Sequence, residues 1–247
     1  MQRKHRRHAA PIVLTGLLLF SMTVAAASRP AIVELYTSEG CSSCPPAERL
    51  LEELAQRPDI LPLAFHVDYW DSLGWRDRFS LKEATQRQQY AARQLRLSTV
   101  GTPQMIVEGR TALWGASRER VEQAVKSGRT EIPMTIARNG SELIVRTDEQ
   151  VTTRESFDVY VIGYLPKAVT SIGRGENAGR TITEVNVVRY VRKIGTSANA
   201  THEWSFTLDG LPDDAERLVV LLQTSSTGAI VGARTLDGQA GGKDEIG

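Results

Sequence analysis

The sequence predicts an α/β domain followed by a β-rich, antiparallel sandwich-like domain in an exported protein. Three observations lead to this prediction. The first 27 residues have the pattern of a signal peptide, strand-like and helix-like segments alternate up to about residue 130, and short strand-like runs separated by turns follow. We therefore divide the chain into a signal peptide (1–27), an α/β domain (28–130), a β-rich domain (131–237) and a flexible tail (238–247).

The N-terminal segment predicts export to the periplasm or secretion. Residues 3–8 are basic, residues 11–24 are apolar, and the small residues 25–27 offer a cleavage site. The alternative is an uncleaved anchor, but the apolar run is shorter than the roughly 20 residues of a spanning helix, and we expect no membrane span in the mature protein. Cleavage would change the formal charge from +1 to −3, so nothing indicates a nucleic-acid partner.

The elements of the first domain follow from short-range patterns. The run AIVELY at 31–36 is rich in β-branched and aromatic residues, which favours a strand. Ser80 followed by Glu83 resembles a capping box at the start of a helix. Gly109-Arg110 between two apolar runs favours a hairpin. The predicted order is a strand at 31–36, a helix at 45–55, a strand at 61–67, a helix after Ser80, a hairpin at 103–114 and a helix from Ser117 to near Gly128.

Cys41 and Cys44 are the only cysteines, and they lie where the first strand turns into a helix. Thiol–disulfide exchange proteins place a reactive pair at this spacing. We expect Cys41 to be the exposed, attacking sulfur and Cys44 the resolving one. Two alternatives remain open: a permanent structural disulfide, and a copper(I) site, since soft thiolates select that ion.

Pro45 and Pro46 follow directly on the cysteines. Because proline disfavours the α conformation in the residue before it, we expect Cys44 to be extended. Proline is tolerated in the first helical turn, so we expect the helix to begin at Pro45. The cysteines would then lie in the entering loop, where the helix dipole stabilises a thiolate less strongly.

The order of elements resembles the minimal thioredoxin-like core. The segment TPQMIVEGR at 102–110 resembles the stretch of thioredoxins in which a cis proline faces the disulfide. A cis bond is found at only about 5–6% of X-Pro positions in folded proteins. The resemblance, and not the composition, therefore implies that Thr102–Pro103 is cis and that both residues belong to the site beside the cysteines.

Several longer motifs resemble an uncharacterised family of secreted bacterial proteins, a domain of unknown function with a thioredoxin-like fold. The motifs are VELYTSEGCSSCPPA (33–47), HVDYWDSLGWRD (66–77), TPQM (102–105), RGENAGR (174–180) and NVV (186–188). They span most of the mature chain, and they imply a fold more firmly than an activity.

The segment after the second strand should emerge at the same edge as the cysteines. Tyr69, Trp70 and Trp75 are predicted either to recognise a partner chain or shield the disulfide, or to form a structural cap whose indole N–H groups pair with nearby carboxylates. We interpret His66 as a half-buried strand residue. Asp68 is a candidate, from its position alone, to take a proton from Cys44.

The second domain contains a hairpin around Asn139-Gly140 and strand candidates at 157–164, 184–191, 203–206 and 218–222. The loop 174–180 could bind an anion or a partner's backbone. The favoured interpretation is a surface turn held by its own ion pair, and a subsidiary hypothesis packs it beside the cysteine site.

The leading functional hypothesis is thiol–disulfide exchange with the thiols or disulfides of another exported protein. The alternatives are a non-catalytic binding module clipped by its disulfide, and a copper(I) carrier. We expect no organic cofactor and no metalloenzyme centre, because only His66 and His202 would remain as histidines after cleavage, one in each half. The direction of electron flow, the partner and the oligomeric state stay open.

Overall fold

The computed structural model describes residues 29–147, 155–197 and 202–236. They form a mixed α/β structure dominated by a large sheet. The predicted signal peptide and tail lie outside the described residues. None of the helices described is both long and apolar enough to cross a membrane.

The order of elements predicted for the first half is confirmed. The elements are β1 (Ala31–Thr37), α1 (Pro45–Leu54), β2 (Ile60–His66), α2 (Lys82–Gln94), β3 (Gln104–Val107), β4 (Thr111–Trp114) and α3 (Arg118–Lys126). In the described part of the second half, all of the assigned elements are strands: β5 (Met134–Asn139), β6 (Glu142–Thr147), β7 (Phe157–Ser171), β8 (Thr181–Thr196), β9 (Glu203–Thr207), β10 (Arg217–Thr224) and β11 (Ile230–Leu236).

One helix start differs from the prediction. The Ser80 hydroxyl donates to a carboxylate oxygen of Asp71 at 2.7 Å, so it does not cap α2. The helix begins at Lys82 after an extended Leu81 that makes no side-chain cap bond. The predicted cap of α3 is confirmed, because the Ser117 hydroxyl accepts the backbone N–H of Arg120.

The long strands of the second half join the sheet of the first half. The eight-stranded order is β11-β10-β7-β8-β2-β1-β3-β4, with β1 and β2 parallel and β3 antiparallel to β1. Within the sheet, the halves are joined by a parallel pairing of Ala64 in β2 with Val187 in β8. The expectation of a separate sandwich therefore differs from the structure, in which only β5, β6 and β9 form a second sheet. The domain boundary near residue 130 stays a prediction.

The strands were also predicted too short. β7 and β8 have 15 and 16 residues and pair along most of their length, with irregularities after Val159 and Gly163. A long antiparallel ribbon satisfies its backbone groups internally and needs no turn every few residues. Alternation of apolar side chains continues beyond the runs recognised in the sequence.

Central strands are buried on both faces. Val33 and Leu35 of β1 pack with the apolar face of α1, which includes Leu51, whereas Ile32 and Tyr36 belong to the cluster on the opposite face. This burial fixes the register of β1, because a shift by one residue would exchange the two faces. The carboxyl ends of β1 and β2 consequently meet at one edge, where the cysteine loop begins.

Candidate functional site

Cys41 and Cys44 form a disulfide with their Cα atoms 5.4 Å apart. Cys44 is the N-cap residue of α1, which begins at Pro45 as predicted. The prediction of an extended Cys44 is wrong, because its φ of −79° and ψ of −34° are helical. Its N–H donates to the Cys41 carbonyl, and its carbonyl accepts the N–H groups of Ala47 and Glu48. These bonds stabilise the helical conformation against the preference imposed by Pro45.

Both cysteines are buried, with 0% of either residue exposed. The expectation that Cys41 is the exposed sulfur is therefore wrong for the oxidised state. A segment from the second half covers the cysteine loop. The Asn177 side-chain amide donates to the carbonyl oxygens of Glu39 and Cys41, each at 2.9 Å.

Residues 174–180, here called the cover loop, thus pack beside the cysteines, and this confirms the subsidiary hypothesis for that segment. The Glu176 carboxylate accepts the backbone N–H of Ser42 at 3.3 Å. Within the loop, the Arg180 guanidinium donates to the Asn177 amide oxygen at 3.0 Å. The loop is therefore held both by its own polar contact and by the cysteine segment.

The indole N–H groups of the aromatic segment have internal partners. Trp75 donates to the Glu39 carboxylate at 2.7 Å, and Trp70 donates to the Thr102 hydroxyl at 2.8 Å. The bond of Trp75 matches the structural-cap interpretation, whereas Trp70 is paired with a hydroxyl and not with a carboxylate. Tyr69 is 37% exposed, and its hydroxyl donates to Gln88 at 3.1 Å. Recognition of a partner by these three aromatic residues stays a prediction.

The Thr102–Pro103 peptide bond is cis, as the resemblance implied. Pro103 is buried directly before β3, and its carbonyl accepts the N–H of Gly115 at 3.2 Å. Because Thr102 accepts the Trp70 indole, the start of β3 is tied to the loop that follows β2. The roles assigned to Thr102 and Pro103 in exchange stay predictions.

Asp68 is engaged with α2. Its carboxylate accepts the Thr85 hydroxyl at 2.5 Å, and its backbone N–H donates to the same hydroxyl at 3.1 Å.

Other acidic side chains lie around the cysteine loop. Five buried titratable residues form what we call the acid cluster: Glu39, Glu48, His66, Asp77 and Glu184.

The acid cluster is centred on His66, which is fully buried and not half-buried as predicted. Its Nδ1 lies 2.7 Å from the Asp77 carboxylate. Its Nε2 lies 3.4 Å from Glu184 Oε1, an ion-pair distance at which the atoms are not aligned for a hydrogen bond. Glu48 accepts the Thr37 hydroxyl at 2.7 Å through one oxygen only.

Several polar atoms of this cluster have no hydrogen-bond partner among the described residues. They are one carboxylate oxygen each of Glu39 and Glu48, both oxygens of Glu184, and His66 Nε2. Burying an ionised carboxylate without a partner is costly, so such a group takes up a proton instead. The cluster therefore holds protons at pH values where exposed carboxylates have lost theirs.

Burial and the neighbouring charges shift the pKa values of the residues in the acid cluster. Burial raises the pKa of Glu184 to about 8, against the opposing charge of His66. Burial also raises the pKa values of Glu39 and Glu48. Burial acts against protonation of His66, but the charges of Asp77 and Glu184 outweigh it and raise its pKa to about 10. Burial acts to raise the pKa of Asp77, but the charge of His66 and the hydrogen bonds from His66 and from the backbone N–H groups of Glu39 and Phe79 together outweigh it, so that pKa is lowered.

Sequence reasoning missed Glu39, Glu48 and Glu184. One signal was available for Glu48, which lies four residues after Cys44 and therefore on the same face of α1. Glu184 offered a weaker signal, as an acid within an otherwise apolar strand pattern. Among the described ranges, no three His, Cys, Asp or Glu side chains are arranged to hold a metal ion.

Comparisons with known proteins show the family to which the chain belongs. The fold is similar to that of a structural-genomics protein from Agrobacterium tumefaciens, with 28% identity, a TM-score of 0.72, and coverage of 88% of this chain and 98% of that one. It is also similar to HBP35 of Porphyromonas gingivalis, with 12% identity, a TM-score of 0.54, and coverage of 84% and 74%, a likeness of fold alone. No curated protein matches. The family model described as a protein of unknown function, DUF1223, matches residues 32–223, so the chain belongs to that family.

Proposed function

We propose that this chain is an exported protein that exchanges thiols and disulfides with another exported protein through Cys41 and Cys44. The observation that carries the proposal is the position of the disulfide, in the loop from β1 into α1 with Cys44 as the helix N-cap. A helix N-terminus stabilises a thiolate through its N–H groups and dipole. A four-residue loop is also too short for its closure to restrict much of the unfolded chain.

The fold around the pair supports a thioredoxin-like arrangement of the first half. The strands β2-β1-β3-β4 are neighbours, with β1 and β2 parallel and β3 and β4 antiparallel. Residues of α1 and α3 pack in one core cluster, and those of α2 pack in another on the opposite face. The start of β3 at Thr102–Pro103 is connected through Trp70 to the loop at the cysteine edge.

The chemistry balances with a partner dithiol as the reductant. A partner thiolate attacks Cys41 Sγ, the S–S bond breaks, and Cys44 leaves as a thiolate that takes up a proton. The second partner thiol loses its proton and attacks the mixed disulfide, releasing Cys41. The partner is then oxidised by two electrons, and the pair is a dithiol. The reverse sequence oxidises the protein and reduces the partner.

Trapping of the mixed disulfide tests this proposal. In Cys44→Ser the resolving thiol is absent, so a mixed disulfide between Cys41 and an exported protein should accumulate. Cys41→Ser should trap none, and the double Cys→Ser variant is the matched control. If neither single variant forms a mixed disulfide in the exporting cell, exchange through this pair is contradicted.

Burial of both sulfurs favours a second candidate, a binding module in which the disulfide is a structural clip. The reduction potential of the pair separates the two functions. Exchange proteins lie at about −120 to −270 mV, whereas structural disulfides typically lie below about −300 mV. For a clip, both cysteine variants should lose stability while the folded fraction still binds its partner.

A further inference from the structure

A groove runs between α1 and the beginning of β8, directly beside the disulfide. Its cavity has a volume of about 760 Å³. The disulfide loop closes one end, α1 forms one wall and β8 the other. The residues used in the argument are Ser42, Arg49, Glu52, Arg180, Thr181 and Thr183. We call this cavity the α1–β8 groove.

The β8 wall of the groove presents backbone groups. In the β7–β8 ribbon, Ile172 N–H donates to the Arg180 carbonyl at 2.9 Å, and Ser171 pairs with Thr181. Hydrogen-bonded and non-hydrogen-bonded pairs alternate along an antiparallel ladder. The N–H and C=O groups of Thr181 and Thr183 consequently point away from β7 and toward the groove.

Within the described ranges, no neighbouring strand covers this part of β8. The pairing of β8 with β2 lies at Val187, beyond the groove. Among the described residues, no strand pairs with β8 at Thr181 or Thr183 on the side away from β7. An uncovered strand edge is a template for an added strand from another chain. Thr181 is exposed and Thr183 is half-buried, so such a strand can approach.

The groove extends far enough for several residues of an extended chain. A second cavity of about 320 Å³ shares Glu52 and continues along β8 to Val185 and Asn186. At about 3.3 Å per residue, the stretch of β8 from Thr181 to Asn186 spans roughly 17–20 Å. A strand lying there would have one end at Ser42, next to Cys41.

The exposed charge of the groove is positive. Arg49 and Arg180 are exposed, one on each wall, whereas Glu52 is half-buried. Glu48, which also lines the groove, is buried, and burial raises the pKa of its carboxyl group. Two arginines that flank an open strand edge favour carboxylates on the incoming chain.

We infer that the α1–β8 groove binds an extended, acidic segment of the partner polypeptide as an added strand on β8. This inference deepens the proposed function, since it rests on the partner being the protein that exchanges with Cys41–Cys44. Backbone pairing at Thr181 and Thr183 supplies affinity without requiring a fixed sequence. Arg49 and Arg180 select carboxylates, and the geometry directs the segment toward the disulfide.

Arg180 belongs to both the groove and the cover loop. Its guanidinium donates to the Asn177 amide oxygen, and Asn177 donates to the carbonyls of Glu39 and Cys41. A segment bound at Arg180 therefore lies next to the side chain that covers the cysteines.

Peptide binding tests the inference without any exchange reaction. The probe is a short fluorescent peptide that is rich in Asp and Val and has serine in place of cysteine, and its anisotropy is measured with the oxidised, signal-cleaved protein. Thr183→Pro removes the outward N–H, and Arg180→Glu reverses a groove charge. Each should weaken binding about tenfold, because each removes one to two hydrogen bonds or one charge pair. Arg192→Glu reverses an exposed charge on β8 outside the groove and should leave binding unchanged.

Two results would overturn the groove assignment: no binding of the acidic peptide at low ionic strength, or equal binding by all three variants and wild type. A lysine-substituted peptide should bind at least about tenfold more weakly. Circular dichroism identifies a Thr183→Pro protein that has not folded, and Arg180→Glu then carries the test. Because the probe contains no cysteine, the trapping experiment can fail while this one succeeds, and the reverse also holds.

Discussion

At the scale of single residues, the acid cluster is the feature that ordinary packing does not explain. Buried polar groups are usually paired, and an exception calls for a physical account. Here the explanation is that buried carboxyl groups of the cluster carry a proton. Glu184, at 2% exposure, leaves both carboxylate oxygens without a hydrogen bond and lies 3.4 Å from a histidine that is itself bonded to Asp77.

This cluster predicts that stability falls as the pH rises. Glu184 has a pKa raised from 4.5 to about 8, so between those values the folded state holds a proton that the unfolded state has lost. His66 has a pKa raised from 6.5 to about 10, so its stabilising charge is present below 6.5 and is lost toward 10. Glu39 and Glu48 act in the same direction as Glu184. The pKa of Asp77 is lowered, so the stability that this carboxylate contributes is lost only as the pH falls toward that pKa.

Glu184→Gln tests this prediction. It removes the group with the raised pKa while keeping nearly the same volume. Between about pH 5 and about pH 9, the free energy of unfolding of the variant should improve relative to wild type by on the order of a few kcal/mol. Urea unfolding at the two pH values provides the measurement. Glu142→Gln, an exposed change on β6, is the control and should show no such difference. A pH dependence of Glu184→Gln identical to that of wild type would contradict the account.

At the scale of elements, the β7–β8 connection covers the disulfide. One side chain, that of Asn177, makes both of the hydrogen bonds that join the cover loop to the carbonyls of Glu39 and Cys41. The Ser42 N–H adds one bond to Glu176, so Asn177 makes two of these three hydrogen bonds and its mutation removes most of the contact. Local opening of a loop needs far less free energy than global unfolding. The reactivity of the buried pair should therefore depend on this contact.

Asn177→Ala should accelerate reduction of the disulfide by dithiothreitol by about tenfold or more, since two hydrogen bonds contribute about 1 kcal/mol each. The rate is measured by labelling of the released thiols after quenching. Arg174→Ala, an exposed substitution in the same loop, should leave the rate unchanged. Equal rates for Asn177→Ala and wild type, with both proteins folded, would show that the cover loop does not control access.

At the scale of the whole molecule, the sequence predicted local elements well and long-range pairing poorly. The Cys-x-x-Cys loop, the start of α1 at Pro45 and the order of the first seven elements depend on neighbouring residues, and these predictions were confirmed. The sheet continues into the second half through Ala64 and Val187, which are far apart in the chain. The acid cluster collects Glu48, His66 and Glu184 from three separate elements. Neither arrangement leaves a periodic signal in the sequence.

A second contact between the halves lies between the β3–β4 hairpin and the start of β11. The Glu108 carbonyl accepts the N–H of Ile230 at 2.9 Å, and the buried Arg29 guanidinium contacts both the Glu108 carboxylate and the Ile230 carbonyl. Gly109 follows at a φ of +64°, and a Cβ atom built there would lie 2.0 Å from the carbonyl oxygen of Gly228. The hairpin β3–β4 and the turn before β11 can approach this closely only because residue 109 has no side chain.

Gly109→Ala therefore measures how strongly this contact supports the fold. Gly140 is the matched control, since its φ of +59° imposes the same backbone cost on alanine but nothing lies within 4 Å of the added Cβ. Both substitutions should destabilise by about 1–2 kcal/mol through the positive φ, and Gly109→Ala by at least about 2 kcal/mol more through the clash with a backbone oxygen. Urea unfolding monitored by tryptophan fluorescence compares the two variants. If they lose equal stability, the close packing at Gly109 contributes little to the stability of the fold. If Gly109→Ala loses more, this contact stabilises the fold and the second half is a structural part of the domain that carries the cysteines.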